Sequence, residues 1–297
     1  MKATEIKPNG FCNGVKRAIK MIIDIANDKN TIKPIYMFGY LVHNKKIINS
    51  LIEEYNIILI KDNFSAKLKE IKTGTIIFTA HGISPDIYEI AERKKLNIVD
   101  TTCPNVLKIQ NIIKEKIKEN YNVVVIGNKN HPEINSYLGI SKKVSLYDKE
   151  KDYRNIDNIF VINQTTLIYE DVLKIYQQIK DINPNCEIVE EVCNATKVRQ
   201  KAILDNLDKY DLFIIIGDKL SNNCDSLYKL AKNYQKDAIK IESCEELNEI
   251  DLSKYQNIAV TAGASTPPAI LDEVIIQINN NTKEFKSNLK NIDYIKL

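Results

Sequence analysis

The 297-residue sequence contains no apolar run of about 18 residues, so no membrane-spanning helix is predicted. Its first residues, Met1-Lys2-Ala3-Thr4-Glu5-Ile6, lack the apolar stretch of a secretory signal, and a cytoplasmic protein is expected. Charge of one sign is not in excess either. The 42 basic and 39 acidic residues leave a net charge of +3, too balanced to point to nucleic acid or an anionic membrane as partner. No G-x-x-x-x-G-K stretch is present, which excludes a nucleotide P-loop, and no nicotinamide or flavin motif is evident. The six cysteines include no C-x-x-C pair, the usual mark of a zinc site. In a reducing compartment they are free thiols or metal ligands, not a disulfide framework. What remains is 44% hydrophobic and 27% charged, the balance of a chain that builds a core.

Short apolar runs alternate with amphipathic stretches. Strands are predicted at Ile35–Phe38, Ile57–Ile60, Thr75–Phe78, Val123–Ile126, Ile159–Ile162, Leu212–Ile216 and Ile258–Thr261. Helices are predicted over Gly14–Asn27, Val106–Glu119, Tyr169–Ile182, Thr196–Lys209 and Ser226–Lys232. This alternation predicts an α/β fold with mainly parallel sheets, whose ligands sit in loops at the carboxyl ends of the strands.

Cys12, Cys103 and Cys193 divide the chain into near-equal thirds, each followed by a helical pattern. Downstream of each, a strand ends in a polar loop: Gly39 to Asn44 with His43, Gly127 to Glu133 with His131, and Gly217 to Asn223 with Ser221. A second strand-end loop follows in each third, carrying His81, Thr165 and Ser265. Three pseudo-repeated α/β domains around a central cavity are therefore expected. The first, 1–100, carries Cys12, His43 and His81. The second, 101–192, carries Cys103, His131, Glu133 and Thr165. The third, 193–280, carries Cys193, Ser221, Asn223 and Ser265. The polar tail, 281–297, is expected to fray rather than to cover the cavity.

Three widely spaced thiols at matched positions suit an iron–sulfur cluster held at a domain junction. A 4Fe-4S cluster normally takes four thiolates, so three leave one iron open. Helices beginning beside each cysteine would aim their positive ends at the sulfurs. Cys186, Cys224 and Cys244 have no repeat partners and read as buried apolar cysteines. All three histidines of the chain, His43, His81 and His131, fall in the predicted loops. With Ser221, Asn223, Thr165 and Ser265 they form a ring of donors suited to a phosphate or diphosphate. Glu133, two residues after His131, could deliver a proton from a desolvated setting, although a Glu after His-Pro also suits a helix start.

Taken together, Gly10–Val15, Val42–Asn44, Ala80–Gly82, Asp100–Pro104, His131–Glu133, Gln164–Thr166, Cys193 with Ala195-Thr196 and Arg199-Gln200, Gly217–Asn223 and Ala262–Pro267 resemble the 4-hydroxy-3-methylbut-2-enyl diphosphate reductase (LytB/IspH) family. The resemblance implies a cloverleaf of three α/β domains around one 4Fe-4S cluster per chain, ligated by Cys12, Cys103 and Cys193. It implies diphosphate contacts from His43, His81, Ser221, Asn223 and Ser265, and a group around the substrate hydroxyl made by His131, Thr165 and the proton donor Glu133. The reaction implied is reductive dehydroxylation of the allylic diphosphate to isopentenyl and dimethylallyl diphosphate, with electrons from a donor such as a ferredoxin or flavodoxin. One departure stands out: Asn222 occupies a position where the family often has Ser, and its longer side chain can still donate to a phosphate.

Two other readings stay open on the residues alone. One is another three-cysteine cluster enzyme, such as a quinolinate synthase-like dehydratase that needs no external electrons. The other is a non-enzymatic iron–sulfur sensor, which would need no substrate clamp.

Overall fold

The computed structural model describes residues 1–154 and 156–297. In chain order its strands are β1 (Lys2–Glu5), β2 (Ile35–Phe38), β3 (Ile58–Ile60), β4 (Thr75–Phe78), β5 (Asn97–Asp100), β6 (Asn122–Ile126), β7 (Val144–Leu146), β8 (Ile159–Asn163), β9 (Glu187–Ile188), β10 (Leu212–Ile216), β11 (Asp237–Ile241) and β12 (Asn257–Ala262). They form three four-stranded sheets among the described residues, ordered β3-β2-β4-β5, β7-β6-β8-β9 and β11-β10-β12-β1, and the pairings are parallel. Parallel neighbours need crossover connections, and helices supply most of them.

The α/β expectation is met, and the repeat has one feature the sequence did not announce. The first two sheets take four consecutive strands in the order second, first, third, fourth. The last sheet follows the same order but draws its fourth strand from the N-terminus: Lys2 to Glu5 of β1 pair with Asn257 to Val260 of β12. In all three cases one of the three evenly spaced cysteines follows the fourth strand of a sheet: Cys12 after β1, Cys103 after β5 and Cys193 after β9.

By contacts the chain forms two compact units. The first comprises Met1–Lys20, Val42–Asn56 and Asn194–Leu297, and the second Met21–Leu41 and Ile57–Cys193. The second unit holds two of the sheets. Along β6, Val123 and Val125 pack with Ile109, Ile113 and Tyr137, while Val124 and Ile126 pack with Val172 and Tyr176. Successive residues thus bury opposite faces, which is why this strand reads as an unbroken apolar run. The first unit packs Ile214, Val260 and Ala3 against Leu271, Val274 and Ile278 of helix Pro268–Asn279.

The C-terminal segment is not frayed. Phe285, Tyr294 and Ile295 are buried. The Asn248 amide brackets Phe285, accepting from its N–H and donating to its carbonyl, both at 2.8 Å. Gln277 treats Lys286 in the same way, at 3.1 and 2.7 Å. The Glu273 carboxylate accepts from the Ser287 hydroxyl and the Asn288 N–H, each at 2.7 Å. The polar composition that suggested disorder is spent on side-chain clamps from the folded unit. Helix Asn194–Leu204 also stops short of the predicted Lys209.

Candidate active site

The three repeat cysteines share one backbone device. The Cys12 N–H donates to the Ala264 carbonyl, the Cys103 N–H to Ala80 and the Cys193 N–H to Thr165, each at 3.0 Å. Each acceptor lies in a loop just beyond the third strand of a sheet: β12, β4 and β8. Helices start at Asn13, Pro104 and Asn194, directly after the three cysteines. All three are half-buried, whereas Cys186, Cys224 and Cys244 are buried. Burial pushes the Cys244 thiol up to about 12, with the Glu273 and Glu245 carboxylates adding to the effect, so it is inert. Cys224 explains two glycines: a Cβ at Gly217 or Gly263 would lie 2.0 or 2.1 Å from its Sγ.

In the first unit, His43 and Asn44 lead into helix Lys45–Tyr55. The Asn44 side chain caps that helix at Ile47 N–H (3.2 Å) and donates through its amide to the Ser265 carbonyl (3.0 Å). The Ser265 hydroxyl donates to the His43 carbonyl at 3.0 Å. Buried Asp218 accepts from the Lys45 N–H at 3.2 Å and the Leu220 N–H at 2.8 Å. Burial pushes the His43 imidazole below its ordinary pKa, and the Asp218 charge opposes this. Ser221 caps helix Asn222–Asn233. Asn223 is buried, its amide donating to the Thr196 hydroxyl (3.1 Å) while its oxygen accepts from the Ala264 N–H (2.9 Å). It braces the Cys12-anchoring loop against the helix that follows Cys193. Asn222 differs: its amide nitrogen is buried and has no hydrogen-bond partner among the described residues.

In the second unit, the His81 and His131 rings meet edge to face, centroids 5.2 Å apart. His131 caps helix Pro132–Leu138, its Nδ1 accepting from the Glu133 N–H at 3.2 Å. The neutral ring therefore carries its hydrogen on Nε2, as a donor. Gly82, beside His81, has φ +80°, and a Cβ there would meet the Gln110 amide at 2.8 Å. Glu133 is 2% exposed. Its Oε1 accepts from the Thr165 N–H and the Tyr137 hydroxyl, both at 2.8 Å, and its Oε2 from the Thr165 hydroxyl at 3.0 Å. Burial raises its pKa, and the three donors pull the other way. A buried carboxyl whose pKa is raised holds its proton to higher pH than an exposed one, as a proton donor must.

The family model described as LytB protein matches residues 4–279. A 4-hydroxy-3-methylbut-2-enyl diphosphate reductase of Bacillus subtilis is 39% identical over 281 residues, 93% of this chain and 90% of the relative. The chain belongs to the LytB family. A relative of the same name from Bacillus pumilus is 37% identical over 98% of this chain and 94% of its own length. Among solved structures, the E-1-hydroxy-2-methyl-but-2-enyl-4-diphosphate reductase of Plasmodium falciparum superposes with a TM-score of 0.86 at 31% identity, covering 96% of this chain and 90% of that one. A second, (E)-4-hydroxy-3-methyl-but-2-enyl diphosphate reductase, described as the terminal enzyme of the non-mevalonate pathway, gives 0.67 at 29% identity over 94% of this chain and all of that one. LytB membership covers the segments that carry all of the candidate residues. Three supporting residues escaped the sequence reading: Asn44, Asp218 and Tyr137. Asn44 and Asp218 lie in the strand-end loops of His43 and Ser221 but resemble ordinary turn residues, and Tyr137 carries no signal, because a tyrosine in a helix reads as core. Among the described residues, no helix is long and apolar enough to cross a membrane.

Proposed function

We propose that this protein is an oxidoreductase that converts (E)-4-hydroxy-3-methylbut-2-enyl diphosphate to isopentenyl and dimethylallyl diphosphate, the last step of the non-mevalonate isoprenoid pathway. Two electrons and two protons enter and one water leaves. Cys12, Cys103 and Cys193 would hold one 4Fe-4S cluster per chain. These residues fit it: three half-buried thiols outside any disulfide, each with its N–H on a carbonyl just beyond the third strand of a sheet, whereas Cys186, Cys224 and Cys244 are buried. When bound, the cluster supplies single-electron transfers and Lewis acidity at the iron that lacks a protein ligand.

The chain's own residues do the rest. His43, His81, Ser221, Asn222, Asn223 and Ser265 bind the diphosphate, with the unspent Asn222 amide as an evident donor. Remote binding energy at the diphosphate orients the reacting carbon. His131, through Nε2, and Thr165 address the substrate hydroxyl. Glu133 holds the proton that leaves with it. Three lobes, each built on one sheet and closed by one cysteine, are the domain organisation this reading uses. The protein works in the cytoplasm and takes electrons from a ferredoxin or flavodoxin.

The observation that carries the reading is the Glu133–Thr165–Tyr137 cage on a buried carboxyl in a chain of this family. Anaerobically reconstituted protein should turn over the allylic diphosphate with dithionite and a mediator. Turnover without reductant would favour a dehydratase. A paramagnetic signal that ignores the diphosphate would favour a sensor.

A further inference from the structure

Tyr137 belongs to helix Pro132–Leu138, one turn after Glu133, and is fully buried in the core beneath it. Its hydroxyl donates to Glu133 Oε1 at 2.8 Å. That donor is aimed at one carboxyl oxygen only. A carboxyl oxygen offers two lone pairs. On Glu133 Oε1 both are taken at 2.8 Å, one by the Thr165 N–H and one by Tyr137. Among the described residues Oε2 has a single partner, the Thr165 hydroxyl, at 3.0 Å.

We infer that Tyr137 is a positioning residue that confines the transferable proton of Glu133 to Oε2, against the Thr165 hydroxyl. The inference rests on the reading of Glu133 as proton donor. With Oε1 filled, protonation occurs on Oε2. The Oε2–H then donates to Thr165 Oγ1, whose own hydrogen turns towards the substrate. In the transfer, Thr165 passes that hydrogen to the departing hydroxyl of the allylic alcohol and takes the Oε2 proton in its place. The carboxyl ends as a carboxylate that accepts from Thr165 again, so the relay is charge-balanced and resets on one proton. Without the Tyr137 hydroxyl, Oε1 has a vacant lone pair, and part of the proton population sits on the oxygen that does not face Thr165. The ionisable groups around the pair are His131 at the helix start, Cys103 packed beside Tyr137, and Glu191. On Oε1 the donors are the Thr165 N–H and the Tyr137 hydroxyl among the described residues.

Tyr137→Phe keeps the ring in the core and removes only the hydroxyl. In cluster-loaded protein with a wild-type absorbance spectrum, kcat should fall about tenfold with KM unchanged, the loss of one well-placed hydrogen bond. The infrared carbonyl band of protonated Glu133, assigned by its disappearance in Glu133→Gln, should move to higher frequency because its carbonyl oxygen has lost a donor. An unchanged kcat, or a band that does not move, overturns the inference. Full turnover by Glu133→Gln would instead remove the proton-donor reading beneath it.

Discussion

The Ser265 hydroxyl, which can rotate between partners, here donates to the main-chain carbonyl of His43, at 3.0 Å, across 222 residues of sequence. The contact is returned by the neighbouring residue, since the Asn44 amide donates to the Ser265 carbonyl at 3.0 Å. The two loops are therefore one rigid piece, and the His43 ring is placed by Ser265 as much as by its own strand. Ser265→Ala should raise KM for the diphosphate by about tenfold, the worth of one buried hydrogen bond, and leave kcat near wild type. Steady-state kinetics at saturating reductant checks this.

Glu133→Gln should leave the absorbance spectrum of the loaded protein unchanged and cut turnover by about 10²–10⁴-fold. The pH dependence follows from the direction of the shift. Burial raises the Glu133 pKa, so the proton is present below that value and activity falls as pH rises through it. Stability has the same sign: the contribution is fully present below the ordinary carboxylate pKa and is lost as pH rises through the raised one. Glu133→Gln should flatten that part of a denaturation-versus-pH curve; an unaltered curve would refute the assignment.

Cys103→Ser should abolish the iron–sulfur absorbance after anaerobic reconstitution, with iron and sulfide counts well below wild type. Cys186→Ser should retain both, because that thiol is buried and burial raises its pKa. A wild-type spectrum in Cys103→Ser would show that this sulfur is not a ligand.

Removal of residues 284–297 should destabilise the protein rather than free a flexible tail. Helix Asn291–Tyr294 packs on helix Lys45–Tyr55, with the Lys46 ammonium 5.1 Å above the Tyr294 ring and Asn291 hydrogen-bonded to Glu53. Phe285, Tyr294 and Ile295 are buried, and each such side chain is worth about 1.5–3 kcal/mol. The thermal midpoint should fall by about 5–10 °C. An unchanged midpoint would mean that the segment contributes nothing.

Legibility in the sequence followed burial. The central strands β2, β4, β6, β8, β10 and β12 were all predicted, because both faces of each are covered and the run is apolar throughout. Among the edge strands only β3 was. Glu187–Ile188 and Asn97–Asp100 are short or polar, and Lys2–Glu5 buries only Ala3, so no apolar run marks them. The tail was hidden for the opposite reason: its backbone and polar groups are held by side chains of Asn248, Gln277, Glu245 and Glu273, which lie 37, 9, 42 and 14 residues from their partners and leave no apolar or periodic signal in the tail itself.

By itself the sequence determined the α/β class, the cysteine trio and the loops that carry His43, His81, His131, Glu133, Thr165, Ser221 and Ser265. Those features are local: period, spacing and residue type are written along the chain. Only the tertiary structure decided that β1 completes the last sheet and that each cysteine hangs from a distant loop carbonyl. It alone decided that Tyr137 points at one oxygen of Glu133. Hydrogen bonds between distant segments depend on a few tenths of an ångström and on direction, and neither quantity leaves a trace in composition or periodicity.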